Sequence, residues 1–400
     1  MENKCPAKFQ NVDFCAPSTH DNPYEMYDYF LEHEPLYFDE KNEVWEVFRY
    51  DDIVQIERDT ETFINGEGAR PNIPPDPGMI YQDGEQHTKQ RALVASGFTP
   101  RQMRKMEDRA REIVTELVDN MLQKDEVDIV EDLAAALPMR LIADMLDIPQ
   151  EKRASVQQWI NQIMIGGCGP DYVTDEVNDA FENFCTHHEE MYQDRISAGC
   201  KGSDLLTIWI KAEISGEKLD ESQLLFEHVL LNVGGAETTR SAIAGGLERL
   251  SEDPKQYNAL YEDLSLIPNA VEEIIRWVCP FVNMYRTATR DYEMHGKVIK
   301  EGQMVGLTYP AANRDPRKYK DPHTFNIFRD FSTEAKHLSF GLGPHFCLGA
   351  SLARLEVRLS LEEMTQRVKS IRQAEGKELQ YVSSSFTRGL KSFPAVLEAR

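Results

Sequence analysis

The sequence predicts a mainly α-helical fold with a minor β portion drawn from near its two ends. Three observations predict it. Apolar residues recur at helical spacing from about residue 100 to 275. A Gly- and Pro-dense stretch interrupts the chain at 64–86. Short strand-and-turn patterns take over beyond about 280. In chain order, Trp45-Glu46-Val47-Phe48 reads as a strand following a turn at 40–43. Residues 64–86, with Pro71, Pro74, Pro75 and Pro77, read as a loop of the length that lids have. Thr99-Pro100 opens a helix, because proline is tolerated in a first turn. Met103, Met106, Ala110, Ile113 and Leu117 then follow at helical spacing. Further helices are expected near 131–146, 150–165, 175–198, 203–212, 221–252 and 254–278. Residues 292–299 read as strand, turn, strand. A last strong helix starts near Ala350, and 375–400 are extended. The whole chain, 1–400, is expected to form one domain. Its α-rich part covers 85–278 and 350–370, and its β-rich part mainly 35–65, 280–330 and 375–400.

Composition narrows the function classes. Hydrophobic residues at 41% and charged residues at 28% fit a globular protein and exclude collagen-like or disordered chains. The 44 Lys and Arg against 68 Asp and Glu leave a formal charge of −24. So acidic a chain is a poor partner for nucleic acid, whose phosphates need cations. Seven cysteines are scattered at 5, 15, 168, 185, 200, 279 and 347, with no CxxC pair. That argues against a disulfide framework or a zinc knuckle and for the cytoplasm. Residues 1–10 lack the basic and apolar blocks of a secretory leader. No run of 18 apolar residues suggests a membrane span.

The chemistry concentrates at 340–350 (FGLGPHFCLGA). Glycines and a proline fix a tight loop. Cys347 sits on it, just before a helix whose N-terminal N–H groups favour an anion and lower a thiol pKa. This marks Cys347 as a buried thiolate ligand or a nucleophile. Nothing in the sequence places a His and an acid to activate it as the nucleophile of a hydrolase. In 231–240 (LNVGGAETTR), Gly234 and Gly235 each cost roughly 1 kcal/mol in a helix interior. Glu237 and two threonines share that apolar stretch, and broken local rules suggest a site. Gly234 and Thr238 lie on one face, where a ligand could approach and the hydroxyl bond a carbonyl. A close helix–helix contact is the other reading of the glycines. Glu273 and Arg276, three apart, can pair. His87 and Arg91, four apart, form either a pair of donors for a carboxylate or a solvated face. His187-His188 beside Cys185 read as a surface pair rather than a metal site.

FGLGPHFCLG resembles the haem-binding signature of the cytochromes P-450, the haem-thiolate monooxygenases. The resemblance extends along the chain. It implies a triangular helical prism with haem b, protoporphyrin IX iron, between the long central helix and the Cys loop. Cys347 would be the axial ligand, Phe340 would pack near its sulfur, and Gly349 would follow two residues on. His345, His87, Arg91 and Arg286 would hold the propionates. Gly234 and Gly235 would form the oxygen groove, with Glu237 and Thr238 relaying protons to the bound oxygen. Glu273, Arg276 and Arg329 would form the buried Glu-x-x-Arg network.

The same resemblance assigns the substrate wall to Ile73 and Met79, Met164 and Ile165, Leu230, Val233 and Ala236, Phe281 and Val282, and Phe386. These are apolar, so the substrate should be lipophilic, and no fixed cation is evident among them. The sequence resembles most the actinobacterial sterol side-chain hydroxylases. Terminal hydroxylation of cholest-4-en-3-one or cholesterol is therefore expected, with a fatty-acid or terpene hydroxylase as the alternative. A haem-binding sensor or carrier without turnover is the alternative of another class. Electrons would come from a separate ferredoxin and its NAD(P)H-dependent reductase. The ferredoxin would dock on Arg101, Arg104, Lys105, Arg354 and Arg358, flanked by Lys89. A monomer is expected.

Overall fold

The structure is a computed structural model and describes residues 6–400. Cys5 lies outside them, as does half of the segment read for a leader. Among the described residues no helix is long and apolar enough to cross a membrane.

The centre of the α-rich part is the helix Glu221–Glu252, 32 residues long. Asp220 and Gln223 start it with a capping box, each side chain satisfying the other's backbone N–H. Its second half is buried from Ser241 to Glu248. Small residues make that possible. A Cβ on Gly246 would stand 2.7 Å from Ile274, and one on Gly245 2.9 Å from Val278. The helix Ile267–Val278 therefore packs closer to the long helix than any larger residue would allow. Helices Pro100–Met121, Ala136–Leu146, Arg153–Gly166 and Asp175–Ser197 pack around this pair. Thr99 caps the first of them by accepting from the Gln102 N–H.

The expected helix 254–278 is two helices, Pro254–Glu262 and Ile267–Val278. The Asp263 side chain accepts from the Ser265 N–H at 2.9 Å and starts a single 3-10 turn. Pro268 then opens the second helix. Two further helices were not expected: Tyr24–His33, in a stretch that the sequence left unassigned, and Tyr50–Arg58, inside the 35–65 segment read as β-rich.

Most of the β portion lies within 36–64, 283–308 and 368–399, while the short strand Val127–Asp128 falls inside the stretch read as helical. In spatial order its largest sheet is Leu36–Asp39, Val44–Val47, Met304–Thr308, Asn283–Ala288 and Phe63–Ile64. Val44–Val47 runs parallel to Met304–Thr308, with Val44 opposite Met304, and the other neighbours are antiparallel. Tyr292–Met294 and Lys297–Ile299 form a hairpin. Its turn residues His295 and Gly296 have φ of 51° and 73°, the left-handed pair that a two-residue hairpin needs. Near the C-terminus, Pro394–Ala399 pairs with Val368–Gln373 and with Val127–Asp128.

A buried ionic knot joins the two parts. Glu273 and Arg276 are both 0% exposed. Arg276 binds both carboxylate oxygens of Glu273, at 2.7 and 2.8 Å. Arg329 donates to the same carboxylate at 3.0 Å, and the Asn326 N–H at 2.8 Å. The remaining guanidinium N–H groups reach the carbonyls of Asn313 and Pro322, and those of Lys320 and Thr324. A bidentate pair with its spare donors satisfied is the strong form of such a contact. Removing one partner of a buried pair costs roughly 3–5 kcal/mol, because the other charge is stranded.

Candidate active site

The loop that carries Cys347 is pinned by its own backbone. Its N–H donates to the Phe340 carbonyl at 2.9 Å, and the Gly341 N–H to Leu338 at 2.8 Å. Gly341 and Gly343 have φ of +64° and +69°, conformations that a side chain would strain. The helix Ala350–Arg367 starts immediately after it. Arg354 on that helix stacks over the Phe340 ring at 4.6 Å and pairs with Glu272 at 2.6 Å. Burial would push Glu272 up, but His337 and Arg354 hold its carboxyl down at about 2.

Cys347 is solvent-accessible yet closely surrounded, and that burial pushes its thiol up. The N–H groups of Gly349 and Ala350 and the charges of Arg91 and Arg354 pull the other way without prevailing. A coordinated metal ion would add a stronger pull, since it deprotonates a ligating thiol outright.

Four donors converge beside this loop. His87, on the helix Gly84–Ala95, is 3% exposed, so the solvated-face reading does not hold for it. Its ring centre lies 4.1 Å from that of His345. Its Nε2 is buried without a partner. Arg91 donates to the Phe346 carbonyl. Arg286 is 5% exposed and 3.6 Å from Glu57. Burial, with Arg286, His87 and Arg91 close by, drives His345 down to about 2. Two buried and two half-buried donors facing so little negative charge suit an anionic ligand. Carboxylates beside a cysteine ligand are what haem presents, and these residues fit it. Glu57, which also accepts from the Tyr309 hydroxyl at 2.9 Å, was not anticipated. Its helix reads as an ordinary amphipathic surface segment.

The long helix separates its two glycines. A Cβ on Gly234 would meet nothing within 4 Å, whereas one on Gly235 would stand 2.7 Å from Ile142. Gly234 is thus the open position and Gly235 the packing one, so each reading of the sequence holds for one residue. Thr238 Oγ1 donates to the Gly234 carbonyl at 2.6 Å while the helix runs on unbroken. Glu237 is 8% exposed and turns to another flank. There it pairs with Arg240 at 2.7 Å. Burial pushes its carboxyl up and Arg240 opposes this. Glu237 lines a cleft of about 30 Å³ with Asn232, Gln157 and Asn161, room for a water or two. The i,i+3 spacing of Glu237 and Arg240 was a readable signal for the pair.

The proposed substrate residues divide. Phe281 and Phe386 are neighbouring rings, 5.0 Å apart. Gly167, just after Met164, packs on Phe386 so closely that a Cβ would stand 2.7 Å from the ring. Met79 is buried, and its N–H donates to Glu227 at 2.7 Å. Leu230 and Val233 are half-buried on the long helix, Ile73 is half-buried, and Val282 is fully buried. Two residues are placed elsewhere. Ala236 lines the Glu237 cleft, because two residues from Gly234 is about 200° around a helix. Ile165 is 44% exposed. A fixed cation does stand in this wall: Arg70, from the 64–86 loop, lies over Phe386 at 4.1 Å.

On the Cys side an open groove of about 340 Å³ is lined by Arg104, Glu107, Arg354 and Arg358. Arg101, Arg104 and Lys105 are exposed, and no ion pair involves them among the described residues. Arg354 is held by Glu272, and Arg358 by Glu107 and Glu362. Lys89 pairs with Glu85 and Glu217.

His187 and His188 are not a surface pair. Both are buried, at 3% and 4%, because their helix packs between Arg153–Gly166 and the long helix. His188 Nδ1 lies 2.9 Å from His228 Nδ1. Burial keeps the cluster neutral, with His188 down at about 4. No set of three or more metal-ligating side chains occurs among the described residues.

Comparisons with known proteins agree with this geometry. The Cytochrome P450 family profile matches residues 156–387. The chain is similar to the steroid C26-monooxygenase of Mycolicibacterium smegmatis, 33% identical over 377 residues, covering 93% of this chain and 92% of that protein. It is also similar to the methyl-branched lipid omega-hydroxylase of Mycobacterium tuberculosis, 34% identical over 368 residues, covering 88% and 83%. Among solved structures, the cytochrome P450 PksS of Bacillus subtilis superposes with a TM-score of 0.87 at 31% identity, over 97% of this chain and 100% of that one. CYP109E1 of Bacillus megaterium, in complex with testosterone, superposes at 0.83 and 28% identity, over 94% and 99%. The Cys347 loop, the donors around it and the extent of these matches lead to one conclusion: the chain belongs to the cytochrome P450 family.

Proposed function

We propose that this cytochrome P450 hydroxylates the terminal side-chain carbon of a sterol such as cholest-4-en-3-one, taking electrons from a separate ferredoxin. The observation that carries the substrate class is the apolar character of these positions: the paired rings of Phe281 and Phe386, the buried Met164, and Leu230 and Val233 on the long helix within four residues of Gly234. The steroid C26-monooxygenase and the testosterone-bound relative support the sterol. The methyl-branched lipid omega-hydroxylase supports the runner-up, a branched or linear lipid oxidised at its end.

Cys347 would hold haem iron and His87, Arg91, Arg286 and His345 its propionates; bound there, a thiolate-ligated haem supplies the activation of dioxygen for insertion into a C–H bond. The chain's own part is proton handling and positioning. Glu237 Oε2 is taken by Arg240, which leaves Oε1 to receive a proton from the cleft lined by Gln157 and Asn161. Rotation of the Glu237 side chain carries that proton round the helix to Thr238 Oγ1. Thr238, which rests with its hydroxyl proton on the Gly234 carbonyl, releases that bond, hands its own proton on at the open face of the helix and takes the Glu237 proton in its place. Gly234 keeps that face clear, and the aromatic wall keeps water from it.

Arg101, Arg104 and Lys105 are the cations free to meet an acidic ferredoxin. Arg354 and Arg358 are already paired and serve more to shape the groove.

Three outcomes are expected. Titrating the ferric protein with cholest-4-en-3-one moves its Soret band to higher energy, saturating in the micromolar range, about −8 kcal/mol. A shift with a long-chain fatty acid alone would move the assignment to lipid ω-oxidation. Thr238→Ala continues to consume NADPH but releases peroxide, with product per NADPH down about tenfold or more; unchanged coupling would remove Thr238 from the relay. Arg104→Glu slows reduction by an acidic ferredoxin at low salt and flattens the salt dependence, which stopped-flow reduction measures. A salt profile identical to that of the unaltered protein would contradict the docking face.

A further inference from the structure

Arg70 is a buried cation with no anion. It is 4% exposed. Its Nε donates to the Gly167 carbonyl at 2.7 Å. Its Nη1 donates to the Asn283 backbone carbonyl at 2.7 Å and to the Asn283 side-chain oxygen at 3.0 Å. Its Nη2 is buried and has no partner. The guanidinium lies over two aromatic rings, 4.1 Å from the centre of Phe386 and 5.7 Å from that of Tyr285. Among the described residues no carboxylate pairs with it. The buried acid that feels its charge, Glu46, is spent on the hydroxyls of Tyr285 and Thr308, and burial pushes it up to about 7.

A guanidinium keeps its proton even when buried, so the charge cannot be shed. Neutral carbonyls and ring faces offset part of the desolvation, but a stranded cation in an apolar wall normally has a carboxylate. The four segments that meet at Arg70 are the 64–86 loop, the turn at Gly167, the strand Asn283–Ala288 and the stretch around Phe386. Two of them carry Met164 and Phe386 of the apolar wall, and Phe281 stands next to the third. The missing anion therefore belongs where substrate lies.

We propose that Arg70 selects substrates with a carboxylate at one end, its Nη2 donating to that carboxylate while the hydrocarbon body lies against the apolar wall. The inference rests on the lipophilic-substrate reading above and, within it, favours the lipid runner-up and steroids that carry an acid side chain over a neutral sterol. Two sources share this chemistry, a fatty acid and a steroid acid. Arg70 acts here as a positioning and specificity residue.

The test compares each acid with its methyl ester, which keeps the shape and loses the charge. The ferric holoenzyme is titrated with palmitic acid and methyl palmitate, and with 3-oxochol-4-en-24-oic acid and its methyl ester, followed by the Soret shift. On at least one skeleton the acid is expected to bind about tenfold tighter than the ester, the range of a charge-assisted hydrogen bond. Which skeleton shows the preference tells fatty acid from steroid acid. In Arg70→Gln the preference falls to about unity. A merely structural Arg70 would instead weaken acid and ester together and leave their ratio unchanged. Saturable binding with acid and ester equal in the unaltered protein would overturn the role of Arg70 and leave the lipid reading standing. A ratio that survives in Arg70→Gln would also overturn it. Failure of all four compounds to shift the band would overturn both.

Discussion

A carboxylate with no exposure to water must have its lone pairs matched by the protein, and Glu273 does so with Arg276, Arg329 and the Asn326 N–H. What hangs from that knot is the Cys loop. Arg276 holds the Asn313 carbonyl, and the Asn313 side chain holds the Leu338 N–H at 2.7 Å and Ser339 Oγ at 2.8 Å. Ser339 Oγ in turn donates to the Ile275 carbonyl, one residue before Arg276. Phe340 follows directly, and its carbonyl takes the Cys347 N–H. The sulfur is thus located by a chain of polar contacts that starts at a fully buried ion pair and runs outward through part-buried links. Such a network has few alternative arrangements, because every broken link strands a polar group out of water. The large cost of breaking the pair is what makes the loop rigid.

Facing that loop, the long helix uses small residues for two opposite purposes. Gly235, Gly245 and Gly246 let neighbouring helices in, to distances a Cβ would forbid. Gly234 does the reverse and leaves space. Thr238 spends its hydroxyl proton on the Gly234 carbonyl, so its oxygen can still accept from the open side. Glu237 and Arg240 stand on a different flank, beside a water-sized cleft. One turn of helix therefore carries an open face at Gly234 and a small polar cleft at Glu237 on different flanks.

How much of this was legible depended on whether a signal was local. The Cys347 loop, the caps at Thr99 and Asp220 and the turn at His295-Gly296 are written in adjacent residues, and the sequence showed the first helix start, the loop and the turn. Helix 254–278 was misjudged because Asp263 breaks it through one side-chain cap, in a stretch that otherwise reads as helix. His187 and His188 were misjudged because adjacent helical positions usually cannot both be covered; here helices flank both sides. Ala236 came from the resemblance and not from helix geometry, which sets it about 200° round from Gly234. Arg70 and Glu57 were missed for another reason. Nothing near them in sequence shows burial, which comes from segments more than 200 residues away, at Asn283 and Tyr309.

The formal charge of −24 describes the surface and hides the interior. Arg70, Arg276, Arg286, Arg314 and Arg329 are all buried. Three of them meet acids of the chain, Arg314 rests on carbonyls and aromatic rings, and among the described residues Arg70 alone of the five has neither an acid partner nor a bond for its Nη2. The account as a whole stands on Cys347 as the iron ligand. The direct test is the Soret position of the carbon monoxide complex of the ferrous protein, compared with that of Cys347→His. The unaltered protein should show the strongly red-shifted band of a thiolate trans to carbon monoxide, and Cys347→His, if it retains haem, the band of an imidazole-ligated haem. An imidazole-type band in the unaltered protein, or a thiolate-type band that persists in Cys347→His, would contradict it.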